Sequence, residues 1–153
     1  AAARARLRGR ILWMAKQFNS AGSHLGYRYA DSPVVVPDGT PEPPDDFTQV
    51  VQTTWPGSRF PHGWMADGRA TLDLLDRHAF TLLSAGAAAP RLAAALCAAR
   101  MPLREVAVDD AAALAAMERP LVLVRPDGHV GWRGAADPAD AARIAAVLRG
   151  AET

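Results

Sequence analysis

The sequence has a single cysteine, a single lysine and no long hydrophobic run. One cysteine, Cys97, excludes an internal disulfide and any cysteine-rich zinc site. The 17 basic residues, all arginines except Lys16, nearly balance the 16 acidic ones, so the net charge of +1 favours neither nucleic acid nor an anionic membrane as a partner. No apolar segment has the length of a membrane span or the pattern of a secretion signal, and we therefore expect a soluble, cytoplasmic protein.

Motifs that hold cofactors or carry out catalysis are also missing. The sequence contains no G-x-G-x-x-G dinucleotide motif, no P-loop and no G-x-S-x-G elbow around Ser84. The adjacent pairs Asp45-Asp46 and Asp109-Asp110 are more typical of loops and helix caps than of an acid/base dyad. Four histidines lack the spacing of metal ligands: His24, His62, His78 and His129. We therefore predict no catalytic residue, no cofactor-binding residue and no metal site in this chain.

The first part of the sequence indicates a helix followed by an irregular arm. Apolar residues recur at helical spacing from Leu7 to Phe18, with most arginines elsewhere, which predicts an amphipathic helix that ends near Gly22. Seven prolines within residues 30–61 disfavour regular helix and central strand through most of that span. A long irregular segment is unusual unless it lies on something. We predict that residues 1–68 form a helix and an extended docking arm, or linker, for another domain or chain.

The remaining sequence alternates between strand and helix patterns. Apolar or alternating runs predict four strands: residues 79–86, 103–108, 121–124 and 129–132. Helix starts are indicated by Pro90, by Asp109-Asp110 and by Asp137-Pro138. The resulting order, β-α-β-α-β-β-α, is that of the thioredoxin fold. We therefore predict that residues 69–153 form a thioredoxin-like α/β domain.

Redox chemistry in a thioredoxin fold needs a thiolate where the first strand passes into the following helix, because the helix N terminus lowers the cysteine pKa. The corresponding loop, residues 84–90, contains no cysteine, so the domain lacks a CxxC motif. Cys97 follows about two turns later, and its helical position favours a buried, inert thiol. Thiol-disulfide catalysis is therefore not expected.

The run LVLVRPDGHVGWRG, residues 121–134, could be a charged and aromatic site or only a hairpin. Asp127-Gly128 is a strong hairpin signal and predicts a type I′ turn, with Val130 buried and Trp132 covering the core. Arg125 and Arg133 can reach the turn or the arm. Local physics thus favours a structural role for the run.

Three strings in the sequence, taken in order, closely resemble the C-terminal portion of the single-component FAD-dependent aromatic-ring hydroxylases, of the phenol hydroxylase and polyketide hydroxylase type. The strings are GYRYADSP at 26–33, PGSRFPH at 56–62 followed by DGR at 67–69, and RPDGHVGWR at 125–133. Three ordered strings are more specific than any one of them. The resemblance covers nearly the whole sequence.

The resemblance implies that the chain is the non-catalytic, thioredoxin-like C-terminal domain of a longer hydroxylase that uses FAD, NAD(P)H and O₂ on a phenolic or polyketide ring. Its partners would be the FAD-binding and middle domains of the same protein, and a homodimer is possible. The alternative is a separately encoded, redox-inactive thioredoxin-fold interaction module. A start without methionine favours a piece of a longer protein.

The same resemblance assigns structural roles to the motif residues. Candidates for interdomain packing are Tyr27, Arg28, Tyr29, Pro56, Gly57, Arg59, Pro61, His62 and Arg69. The hairpin residues are Arg125, Asp127, Gly128, His129 and Trp132. An interdomain clamp is favoured over direct contact with flavin or substrate, because the arginine and histidine side chains can donate hydrogen bonds to a neighbouring domain.

Overall fold

The computed structural model describes residues 2–151, and for Lys16 and Gln17 it describes the backbone alone. These residues form two compact units. The first comprises Ala1–Tyr27 and Pro43–Val51, and the second comprises Arg28–Glu42 and Gln52–Thr153.

The first unit contains helix α1 (Ala2–Phe18) and the short helix α2 (Ala21–Leu25). Helix α1 ends at Phe18, before the predicted Gly22, and α2 begins three residues later. Gly22 lies against residues 46–49, where a Cβ would collide with the carbonyl oxygen of Asp46. Close backbone approach therefore requires glycine at this position.

The second unit is built on a four-stranded mixed sheet. Its regular elements are a 3₁₀ turn (Thr71–Leu74), β1 (Phe80–Ser84), α3 (Pro90–Ala98), β2 (Leu103–Ala107), α4 (Ala111–Met117), β3 (Leu121–Val124), β4 (Val130–Gly134) and α5 (Ala141–Leu148). The strand order is β2-β1-β3-β4, with β1 parallel to β2 and antiparallel to β3, and with β3 antiparallel to β4. This arrangement confirms the predicted α/β, thioredoxin-like order β-α-β-α-β-β-α.

The sheet is buried on both faces because successive side chains of its central strands alternate between two apolar clusters. On one face α3 and α5 cover the sheet, through Leu92, Leu96, Ile144 and Leu148 among others, and Trp132 belongs to this cluster. The opposite face has its own cluster: Phe60, Met65, Leu74, Leu83, Val108, Ala113, Met117, Val122, Val124 and Val130. Phe60, Met65 and Leu74 precede the first strand, so the irregular segment contributes to the core.

Two irregular segments extend the sheet beyond β4. Residues 57–60 run antiparallel to the start of β4, with Gly57 N donating to Val130 O at 2.8 Å and Phe60 N donating to Gly128 O at 2.9 Å. Residues 28–42, named the strap here, bond to the same strand through Val36 N and Gly131 O at 2.9 Å. Both segments pack within the second unit, and their role as a docking arm stays a prediction.

Three local expectations were wrong. The hairpin turn is not type I′, because among the described residues Asp127 is not at positive φ while Gly128 is, at 82°. Pro126 fixes the first turn position, and Gly128 N bonds to Arg125 O, which gives a three-residue loop ending in a left-handed glycine. The last helix begins at Ala141 rather than at Asp137-Pro138.

The side chain of Cys97 is the third case, since it is exposed rather than buried. The buried row of α3 consists of Leu92 and Leu96, which are four residues apart. A residue one position after Leu96 is turned by about 100° around the helix axis, and it points away from the sheet.

Candidate functional site

The turn of the β3-β4 hairpin carries a cluster of charged and aromatic side chains. Arg125 Nη2 donates to Asp127 Oδ2 at 2.8 Å, and the other carboxylate oxygen of Asp127 accepts from the His129 amide at 3.1 Å. The side chain of His129 is buried, with Nδ1 at 3.5 Å from Asp127 Oδ1. Its ring lies 4.7 Å from the ring of Tyr29, at an interplanar angle of 59°.

The buried position of His129 determines its protonation. Burial lowers the pKa of this imidazole below its ordinary value of 6.5; the Asp127 carboxylate opposes this effect, and the guanidinium groups of Arg59 and Arg125 add to it. His129 is therefore neutral near pH 7. A neutral imidazole packed against a tyrosine is a stable arrangement, whereas an imidazolium would face two guanidinium groups.

The structure brings together residues from all three sequence strings around His129. Tyr29 comes from the first, Gly57 and Arg59 come from the second, and His129 comes from the third. Tyr29 N donates to Gly57 O at 3.0 Å, and a Cβ on Gly57, whose φ is 93°, would lie 2.7 Å from the carbonyl oxygen of Tyr29. Glycine is required there both by the positive φ and by the close approach. The sequence analysis did not predict this convergence.

The other candidates for interdomain packing lie in different surroundings. Pro56 and Pro61 are buried in the second unit, whereas the His62 side chain is exposed and its ring packs edge-on against Trp64 at 5.1 Å. Tyr27 is exposed in the first unit. Arg28 pairs with Glu42 at 3.1 Å, and Arg69 pairs with Asp67 at 2.7 Å on the surface. Their predicted interdomain role stays a prediction.

A second cluster is centred on Arg133 in β4, which does reach the arm, although its partners there and in α4 were not predicted. The Arg133 side chain is 6% exposed and donates from Nε to Asp38 at 2.6 Å and from Nη1 to Glu118 at 2.6 Å. It also donates to the hydroxyl groups of Thr54 at 3.2 Å and Thr40 at 3.0 Å. One buried guanidinium thus joins the strap, the loop before residue 57 and the end of α4.

The carboxylates of this cluster accept hydrogen bonds from several donors. Glu118, which ends α4 at φ 55°, also accepts from the amide of Thr54 at 3.0 Å. Burial alone would raise the pKa of Asp38, but hydrogen bonds from Thr40 and Arg133 outweigh burial and leave that pKa below its ordinary value. The available signal in the sequence was an arginine inside a strand whose neighbours are apolar.

The thioredoxin-like position at the start of α3 holds a carboxylate instead of a thiol. The backbone amides of Arg91 and Leu92 donate to the two carboxylate oxygens of Asp137, at 3.0 and 3.1 Å. Beside it lies an open groove of about 770 Å³, lined mainly by small residues, with Ser84 and Glu105 as its polar side chains. The absence of a cysteine in residues 84–90 removes thiol chemistry from this position.

Helix α1 in the first unit presents an uncovered apolar row. The row consists of four residues, with their exposed fractions: Leu7 59%, Ile11 58%, Met14 48% and Phe18 83%. They recur at intervals of three and four and therefore lie on one side of the helix. The helix has no acidic residue, and four arginines lie in its first three turns. Among residues 2–151, no helix combines the length and apolar content needed to cross a membrane.

Comparison with known proteins shows which family the chain resembles. Residues 53–151 match the family described as "Aromatic-ring hydroxylase, C-terminal". The chain belongs to this hydroxylase family. The match confirms the resemblance that the three sequence strings indicated, and the hydroxylase C-terminal domain covers nearly all of the second compact unit after the strap.

Relatives of this hydroxylase domain include phenol 2-monooxygenase of Pseudomonas sp. (strain EST1001), which is 30% identical over 90% of this chain and 26% of its own length. Among solved structures, the rebeccamycin biosynthetic enzyme RebC with reduced flavin is 34% identical to this chain, with a TM-score of 0.78. The match covers 98% of this chain and 27% of the RebC chain. The flavin-dependent monooxygenase PieE, in complex with FAD and substrate, is 34% identical with a TM-score of 0.75, over 96% of this chain and 29% of its own. The chain therefore spans about a quarter of the length of these relatives.

Proposed function

We propose that this chain is the non-catalytic C-terminal domain of a cytoplasmic, FAD- and NAD(P)H-dependent hydroxylase that acts on a phenolic or polyketide ring. Its task is to pack against the FAD-binding and middle domains of the same protein. The observation that carries the proposal is the uncovered apolar row of α1 in a chain that matches about a quarter of its relatives' length. An apolar surface of this kind marks an interaction site.

The charges on α1 define the surface that would cover it. Around the helix, Arg4 and Arg8 lie on one side of the apolar row, and Arg6 and Arg10 lie on the other. Two copies of the helix packed row to row would bring arginines together, which is unfavourable. The complementary surface is therefore apolar with acidic edges, and we place it in the parent protein's other domains. A homodimer, if formed, would use a different face.

The start of α3 does not fit the pyrophosphate of FAD, and we propose that the parent protein binds FAD elsewhere. A flavin pyrophosphate is normally held by free backbone amides at a glycine-rich helix start. At the start of α3 those amides already donate to Asp137, and a carboxylate there would repel a phosphate. No step of the hydroxylation is therefore assigned to residues of this chain.

The DNA upstream of the codon for Ala1 tests the proposal. We expect an open reading frame that continues upstream into a strand-turn-helix segment with a G-x-G-x-x-G motif. A start codon and ribosome-binding site directly before Ala1, preceded by an in-frame stop, would contradict it. That result would support the separately encoded interaction module instead.

A further inference from the structure

The strap, residues 28–42, is attached to the rest of the second unit by different chemical groups near its two ends. Near its start, the ring of Tyr29 packs on His129 and the Tyr29 amide donates to Gly57 O. Near its end, Asp38 and Thr40 accept from Arg133, and Trp55 Nε1 donates to Thr40 O at 3.1 Å. Between these ends Val35 and Val36 are buried.

The start of the strap packs against a histidine whose charged form is disfavoured by burial. In the described part of the chain, His129 is faced by Asp127 and Arg125 from the hairpin, by Arg59 from the neighbouring segment and by Tyr29 from the strap. Asp127 is already bonded to Arg125 at 2.8 Å, so it compensates only part of a charge on the imidazole. Protonation would place a buried cation beside two guanidinium groups, which favours exposure of the imidazole to water.

The end of the strap depends on a carboxylate that stays charged through the same pH range. Arg133 Nε donates to Asp38 at 2.6 Å, and both side chains are largely buried. The hydrogen bonds from Thr40 and Arg133 leave the pKa of Asp38 below its ordinary value of 3.8, although burial opposes them. The contact between Asp38 and Arg133 therefore persists at pH 5.

We propose that the strap is an acid-sensitive element in which protonation of His129 detaches the Tyr29 end while the Arg133 end stays attached. The direction of the pH effect follows from the linkage between protonation of His129 and detachment of the strap. His129 in the attached state has a pKa below 6.5, and in the detached state its pKa returns to about that value. The detached state thus binds more protons, so its population rises as the pH falls below 6.5.

Hydrogen exchange of the purified chain between pH 7.5 and pH 5 tests the proposal, after correction for the intrinsic exchange rate. The amide of Tyr29 reports on one end, and the amide of Val36, bonded to Gly131 O, reports on the attached part. We expect the opening constant at Tyr29 to rise about tenfold per pH unit between 6.5 and the lowered pKa of His129, with Val36 unchanged. The His129→Gln variant should lose this pH dependence.

The Arg59→Gln variant provides a second arm that does not require a change in the core, because Arg59 is exposed. Removing its charge should raise the pKa of His129 in the attached state toward its ordinary value, so the opening constant should rise over a narrower pH range and by a smaller total factor. A pH-independent opening constant at Tyr29 would overturn the proposal. So would simultaneous loss of protection at Tyr29 and Val36, or an unchanged total rise of the opening constant in Arg59→Gln.

Discussion

At the scale of single residues, the Arg133 side chain bonds to parts of the chain that are far apart in sequence. It bonds to Asp38 in the strap, to Thr54 in the loop and to Glu118 at the end of α4. A buried ion pair stabilises little relative to a well-packed apolar group, but the loss of one partner leaves a buried charge without compensation. The cluster therefore constrains where these segments lie.

Replacement of this arginine gives a direct prediction. Arg133→Ala should lower the free energy of unfolding by about 3–5 kcal/mol, because Asp38 would keep a charge in a buried position. Urea denaturation measures the change. Arg143→Ala is the matched control: Arg143 pairs with Asp140 at 2.6 Å on the surface, and its loss should cost less than about 1 kcal/mol. Equal effects of the two substitutions would contradict the assigned role of the Arg133 cluster.

At the scale of elements, the start of α3 makes a structural contact with a carboxylate at the position where redox-active thioredoxin folds carry a thiolate. The first free amides of the helix, which could stabilise a thiolate, instead donate to Asp137 from the loop before α5. This contact connects α3 to α5, the two helices that cover the same face of the sheet.

The contact at α3 predicts a difference between two neighbouring aspartates. Asp137→Ala should lower the free energy of unfolding by about 1 kcal/mol, the usual value for loss of a capping side chain. Asp140→Ala should have a smaller effect, because Asp140 precedes α5 without a side-chain capping bond. Thermal or urea unfolding of both variants measures the difference. A larger loss for Asp140→Ala would show that α3 does not depend on the Asp137 carboxylate.

Local signals in the sequence accounted for most elements of the second unit. Pro90 begins α3 as predicted, and Asp110 caps α4 by accepting from the amides of Ala112 and Ala113. Asp137 was assigned to the wrong helix, because its partners in α3 are distant in sequence. The Arg133 cluster and the contact of Tyr29 with His129 were not predictable for the same reason, since both depend on how separate segments pack.

At the scale of the whole molecule, the two units differ in how far their apolar residues are covered. The second unit buries its apolar residues in two clusters against one sheet. The first unit leaves Leu7, Ile11 and Phe18 more than half exposed. A chain with a covered core and an uncovered helix is suited to packing on a larger protein rather than to binding a small substrate.

The most direct test of the proposed non-catalytic role uses the purified chain of 153 residues. Absorbance, with flavin identified by mass spectrometry, measures cofactor after incubation with FAD, and the same sample is assayed for oxidation of NADH and NADPH. We expect a colourless protein that retains no flavin and oxidises neither nucleotide. A yellow preparation with FAD bound in stoichiometric amount, or oxidation of either nucleotide that depends on the protein, would contradict the proposal that this domain is structural.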